Sequence, residues 1–173
     1  GEIALCILSA INIGKIRDVS DLKSLCDLSV RSLDELIDFQ GYPVEAAEIA
    51  TKARRSLGIG YIGLAHYLAK QGVKYEDPKA WELVHDLTEA FQYHLIESTV
   101  NLAKEKGACE YSSRTKYAQG ILPIDTYKKD VDELVPNNLK YDWETLRALV
   151  KEHGVRNSTL SAQMPSESSS VVS

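Results

Sequence analysis

The feature that most restricts the fold stands at the start of the chain. Residues 2–13 alternate with the two-residue period of a β-strand, and Gly14 stops them. Ile3, Leu5, Ile7, Ile11 and Ile13 fall on one face, interrupted only by Ser9, while Ala4, Cys6, Leu8, Ala10 and Asn12 fall on the other. A bulky face packs under helices; a small, partly polar one can border a cavity, and Cys6 lies on the small one. A strand that begins almost at residue 1 also calls for neighbours on both sides. Gly1 leads straight into it, and Val171-Val172-Ser173 closes the chain with no tail composition. Both ends therefore read as cut, and the expectation is a piece of a larger domain.

Helices fill most of the chain beyond Gly14. Leu22, Leu25, Cys26, Ser29, Leu33, Leu36 and Ile37 form a stripe that predicts a helix over 20–39, with Cys26 a small core residue. Pro43 opens a second helix through 56, and a third is expected over 61–70. Asp77-Pro78 is a start signal, an N-cap acid before a proline at the first helical position. Trp81, Val84, Leu87, Phe91 and Leu95 carry that helix toward a stop at Gly107. Gly120, Pro123, Pro136 and Asn137-Asn138 predict loops around short helical turns between 108 and 140. Asp142 caps a helix to His153, with Trp143, Leu146 and Val150 on one face. Residues 156–164 alternate again and read as a second strand, polar on one face, with a serine-rich helix start after it at 165–170.

Composition excludes several classes. Apolar residues make up 44% of the 173, enough for a sizeable core. The net charge of −5, with no block of Lys or Arg, argues against a non-specific grip on nucleic acid or an anionic membrane. No apolar run approaches the ~20 residues of a membrane span. Cys6, Cys26 and Cys109 show no CxxC spacing, so a disulfide scaffold or zinc site is not expected and a reducing cytosol is. His66, His85, His94 and His153 lie on different predicted helices or faces, and no metal is assigned.

Three motifs have to be weighed. Gly58-Ile59-Gly60-Tyr61-Ile62-Gly63 matches a dinucleotide fingerprint, but that motif needs a strand just before it, and 44–55 is Ala-rich and helical. It reads as a glycine turn between two packed helices. Asn157-Ser158-Thr159 is a chance match to a glycosylation acceptor. At 165–170, free backbone N–H groups and serine hydroxyls suit a phosphate, yet Ser166 can equally be a plain helix cap. Glu167 would repel a phosphate unless its side chain turned away. Cys6 taken alone reads as a structural thiol more readily than a redox one.

Longer blocks do choose. Trp143-Glu144-Thr145-Leu146, then seven residues, then Gly154-Val155-Arg156-Asn157-Ser158-Thr159-Leu160-Ser161-Ala162-Gln163-Met164-Pro165 closely resembles the signature of the ribonucleotide reductase large-subunit family. Gly1-Glu2-Ile3-Ala4-Leu5-Cys6, Arg55-Ser56-Leu57-Gly58-Ile59-Gly60 and Gly120-Ile121-Leu122-Pro123-Ile124-Asp125-Thr126-Tyr127-Lys128-Lys129 resemble the same family, in family order across nearly the whole chain. The flavour is that of the class I, aerobic enzymes of bacteria and phages. A non-catalytic helical remnant or interaction module, and the adenosylcobalamin-dependent reductase of the same barrel, are the competing readings. The match through 143–165 disfavours the latter.

The resemblance implies an α/β fold: part of a ten-stranded barrel, here a helix-rich segment with a strand near each end. It makes 1–173 a single incomplete catalytic domain, without the N-terminal regulatory and C-terminal parts, and inactive alone. It implies reduction of ribonucleoside diphosphates to deoxyribonucleotides by thiyl-radical chemistry, with a cysteine pair as reductant. Cys6 falls where the family places the second of that pair, its partner lying outside this chain. Pro165, Ser166, Glu167, Ser168 and Ser169 fall on the loop that holds the substrate phosphates; Ser168 stands where close relatives often have Thr, which keeps the hydroxyl. The implied partners are the rest of the large subunit (same chain or split-gene partner), a small radical-generating subunit, and thioredoxin or glutaredoxin. No cofactor is expected on this segment itself; the family uses ATP and dNTP effectors and a metal-radical cofactor in the small subunit. The expected location is the cytoplasm, of the host if phage-encoded.

Overall fold

The computed structural model describes residues 1–167 and 169–171. Two short strands, β1 (Ile7–Asn12) and β2 (Leu57–Ile62), pair in parallel, Ile7 with Leu57 through Asn12 with Ile62. Parallel neighbours need a crossover, and here it is two helices, α1 (Asp21–Phe39) and α2 (Glu45–Arg54). After β2 come α3 (Leu64–Lys70), the long α4 (Pro78–Lys106), four 3-10 turns between Ser112 and Glu133, and α5 (Trp143–His153).

The sheet is packed on one side. Ile11, Ile13, Leu57 and Ile59 are buried and join one core with Leu22, Cys26, Val30 and Ile37 of α1 and Leu87, Phe91 and Leu95 of α4. The α1 stripe is as expected except that Leu36 is exposed and Val30 and Asp34 are buried. Asp142 caps α5, accepting from the Thr145 N–H at 3.0 Å and its hydroxyl at 2.6 Å. Asp77 stands at the α4 N-cap but accepts from the Lys74 N–H, at 2.8 Å, and so bends the approach to the helix.

Four sequence expectations are corrected. The first strand covers Ile7–Asn12, and residues 1–6 lie outside it and are exposed, because the paired strand begins only at Leu57 with α2 ahead of it. The glycine motif is neither a turn between helices nor a nucleotide loop: Gly58 and Gly60 are interior to β2, and only Gly63, at φ 83°, turns the chain. Glycine inside a strand marks close approach of another backbone, and a Cβ on Gly60 would lie 2.4 Å from the Ala162 carbonyl oxygen.

The second strand, expected over 156–164, does not form; one parallel bridge joins Ile59 to Ser161. The Leu57 and Ile59 N–H groups, two residues apart, donate to carbonyls one residue apart, Thr159 at 3.0 Å and Leu160 at 2.8 Å. That one-residue slip breaks the ladder as a bulge does. The expected helix at 165–170 is reduced to a single 3-10 turn, Ser169–Val171. There the Ser169 hydroxyl donates to the Ser166 carbonyl at 3.1 Å, a local side-chain bond that competes with helical pairing.

Candidate functional site

The side of the sheet away from the core is where the sequence placed its chemistry. Leu8 is 50% exposed there and lies over Gly58, while Ala162, Gln163 and Met164 lie over Gly60. On this side β1 presents Leu8, Ala10 and Asn12 and β2 presents Gly58, Gly60 and Ile62; the 162–164 segment covers the two buried glycines, and Leu8 is left half exposed.

Cys6 sits at the N-terminal rim of this face, just before β1, and is exposed. The other two thiols are buried. Burial pushes the Cys26 thiol up to about 12, and its sulfur lies 3.8 Å from the Phe91 carbonyl. Burial also raises Cys109, which packs where Val155 O accepts from its N–H at 3.0 Å. A thiol must lose its proton to attack or exchange, so the environment disfavours Cys26 and Cys109 and leaves Cys6 open to a partner sulfur.

The serine turn lies at the other end of the face. Parallel register aligns Ser161 with Ile59 and Ile59 with Ser9, so Pro165 follows Cys6 by about seven positions, on the order of 20 Å of extended chain. Pro165, Ser166 and Glu167 are exposed and Ser169 is half-buried; Ser168 lies outside the described residues. Leading into the turn, the Gln163 amide spans the end of β2. Its Oε1 accepts from the Tyr61 N–H at 3.1 Å and its Nε2 donates to the Tyr61 carbonyl at 3.4 Å. Between Cys6 and the turn, the 162–164 segment lies over Gly58 and Gly60.

What holds the segment before the turn is a buried polar joint that the sequence pattern did not disclose. Asn157, fully buried, donates to Asp34 at 2.9 Å and to the Arg55 carbonyl at 3.1 Å, and accepts from the Thr99 hydroxyl at 2.9 Å. Arg55 donates to the Asp34 carboxylate at 2.6 Å and to both Asp38 oxygens, at 3.0 and 2.8 Å. Arg156 reaches Asp34 at 3.2 Å. Burial works against the Arg55 charge, but the bonds to Asp38 and Asp34 outweigh it and raise its pKa; the same bond from Arg55 lowers Asp38. Asp34 sits inside the apolar stripe of α1, and an acid at a core position is the signal that could have revealed the joint. Full burial of Asn157 also rules out a glycan there.

Among the described residues no group of three or more His, Cys, Asp or Glu could hold a metal ion, and no helix is long and apolar enough to cross a membrane. A groove of about 630 Å³ between α4 and the 123–139 segment is lined by Trp81, Val84, Tyr127 and Leu134, with neither Cys6 nor the serine turn among its residues.

Two parallel strands joined through helices, in a helix-rich setting, give an α/β arrangement. The chain belongs to the ribonucleotide reductase family: the profile of that family's barrel domain matches residues 1–173. It is 60% identical, over all 173 residues, to the ribonucleoside-diphosphate reductase subunit alpha of Haemophilus influenzae. Identity to the ribonucleoside-diphosphate reductase 1 subunit alpha of Escherichia coli is 55% over 137 residues (79% of this chain), and to the ribonucleoside-diphosphate reductase subunit alpha of Enterobacteria phage T4 48% over 174 residues (99% of this chain). The chain spans 23%, 18% and 23% of the length of these relatives.

Proposed function

We propose that residues 1–173 form one part of the catalytic barrel, ten-stranded when complete, of a class I ribonucleoside-diphosphate reductase large subunit. The observation that carries this reading is the family match over the whole chain, joined to an exposed Cys6 at the rim of the glycine-bearing sheet face. In this reading Cys6 is one of two thiols that reduce the ribose. Each thiol gives up one electron and one proton, a disulfide forms between them, and the 2′ hydroxyl leaves as water; the product carries hydrogen in its place. The metal-radical cofactor of the small subunit supplies the one-electron oxidant that starts the chemistry. Pro165, Ser166, Glu167, Ser168 and Ser169 hold the substrate phosphates through backbone N–H groups and hydroxyls. The partners are the remainder of the large subunit, in the same chain or a split-gene companion, the small subunit, and thioredoxin or glutaredoxin to reopen the disulfide. No cofactor binds this segment, effector nucleotides act elsewhere on the subunit, and the setting is the cytoplasm.

The test uses the full-length subunit assembled with its small subunit. Anaerobic single turnover with subsequent differential thiol labelling is expected to find Cys6 oxidised and Cys26 and Cys109 free. Ser169→Ala is expected to weaken substrate binding roughly tenfold to a hundredfold, alike for all four bases, since a hydrogen bond to a charged group is worth ~1.5–3 kcal/mol. Ser168→Glu, which puts a carboxylate beside the phosphate, is expected to be far worse. Product formed with Cys6 still a free thiol, or a Ser168→Glu variant of unchanged affinity, overturns the assignment concerned.

A further inference from the structure

Cys6 lies just ahead of β1, in a stretch whose best-defined side-chain contacts are made by Glu2. Residues 1–6 are exposed and precede β1, and the backbone bonds beside them are long: Ile3 N–H to the Ala46 carbonyl at 3.4 Å and Ile7 N–H to the Ser56 carbonyl at 3.3 Å. The Glu2 carboxylate makes the strong contacts. It accepts from the Tyr111 hydroxyl at 2.5 Å and forms an ion pair with Arg54, at the C-terminal end of α2. Both partners are themselves held. Two guanidinium groups lie over the Tyr111 ring, Arg54 Cζ at 4.6 Å and Arg114 Cζ at 4.0 Å from its centre, and the Tyr111 N–H donates to the Ala53 carbonyl at 3.1 Å. The bonds from Tyr111 and then Arg54 keep the Glu2 carboxyl below its usual range, and the bond to Glu2 raises the Tyr111 phenol. Glu2 stands four residues ahead of Cys6 in the same segment before β1.

We propose that Glu2 is a positioning residue for Cys6, its carboxylate fixing the lead segment to Arg54 and Tyr111 so that the thiol is presented at the rim of the glycine-bearing face. This rests on the reading of Cys6 as a reducing thiol. Disulfide formation is sensitive to sulfur placement, and small losses of placement cost rate. A clamp at Glu2 therefore acts on turnover and on the dithiol potential, and little on substrate affinity.

The experiment compares Glu2→Ala, Glu2→Gln and Tyr111→Phe in the full-length subunit assembled with its small subunit, with Cys6→Ser as reference. Glu2→Ala is expected to lower kcat roughly tenfold at unchanged KM, as loss of a charge-assisted bond implies, and to shift the midpoint potential of the Cys6 disulfide. Glu2→Gln keeps an acceptor for Tyr111 but loses the ion pair, and Tyr111→Phe does the reverse, so both should fall between Glu2→Ala and wild type. Wild-type kcat and potential in Glu2→Ala, or a kcat loss matching only a loss of folded protein, overturn the clamp. If Cys6→Ser itself turns over normally, the redox reading of Cys6 has failed. The clamp is then judged by amide exchange: faster exchange at residues 3–7 in Glu2→Ala supports it, and unchanged exchange overturns it.

Discussion

The two ends of the 156–169 segment are built on opposite plans. At its start, Arg156 and Asn157 enter a joint in which donors and acceptors from α1, α4 and the α2–β2 connection meet out of water. At its finish, Pro165, Ser166 and Glu167 stand in solvent beside a sheet face floored by glycine. The first end is completed by this chain's own groups. The second is exposed, with the Ser169 hydroxyl turned back on the Ser166 carbonyl. On the reading of 165–169 as a phosphate loop, the joint is the stem that holds the exposed tip in place.

Breaking the joint should have the largest effect. Asp34 is 1% exposed and accepts from Arg55, Arg156 and Asn157 together. Removing one partner from a buried ionic cluster leaves the others desolvated, typically at ~3–5 kcal/mol. Asp34→Ala should lower the unfolding free energy of the full-length subunit by about that much in a urea titration. A change of only a few tenths would mean that the joint is wet and contributes little.

The glycine-bearing face should respond next, and unequally. A Cβ on Gly60 meets the Ala162 carbonyl oxygen at 2.4 Å and Gln163 Oε1 at 2.7 Å, so backbone must move. On Gly58 the nearest atom is Leu8 Cδ2, also at 2.4 Å, but that side chain is half exposed and can swing aside. Gly60→Ala should therefore cost about 1–3 kcal/mol, the usual range for overpacking. It should also weaken substrate binding by displacing the path into the serine turn, while Gly58→Ala does little of either. Thermal unfolding and substrate titration of the two variants, side by side, decide it; equal effects would show that the 159–164 path is not held against β2.

The same contrast explains how much of the molecule was legible in its sequence. α1, α4 and α5 were readable because their stripes run for several turns and their ends carry proline, aspartate and glycine. β2 was missed although Leu57, Ile59 and Tyr61 alternate with Gly58 and Gly60, because glycine suggests a turn until the backbone lying over it is known. The 156–164 strand failed for a tertiary reason: Asn157 is drawn into the joint and the ladder slips by a residue at β2. The exposure of Cys6 did not follow from the unequal faces of 2–13, since Ile3 and Leu5 on the bulky face are exposed as well, and the contacts of Glu2 were not legible either. Glu2 meets partners 52 and 109 residues away, and no local pattern records such pairs.

The smallest effect lies at the rim of the joint, and its sign can be worked out. Asp38 is half exposed and bonded to Arg55, which holds its carboxyl below the ordinary value of 3.8. A carboxylate favoured in the folded state adds stability that is fully present above its unfolded pKa. That stability is lost as pH falls below 3.8 and through the lower folded value. Solvent screening at a half-exposed site limits the contribution to ~1 kcal/mol or less. Asp38→Asn should accordingly destabilise the subunit slightly at neutral pH and progressively less as pH falls through the folded-state value, where wild type loses the same contact. Urea midpoints measured from about pH 6 down to about 2.5 should show the two curves converging as acid is added. Curves that stay parallel would assign the Arg55 charge wholly to Asp34 and leave Asp38 outside the joint.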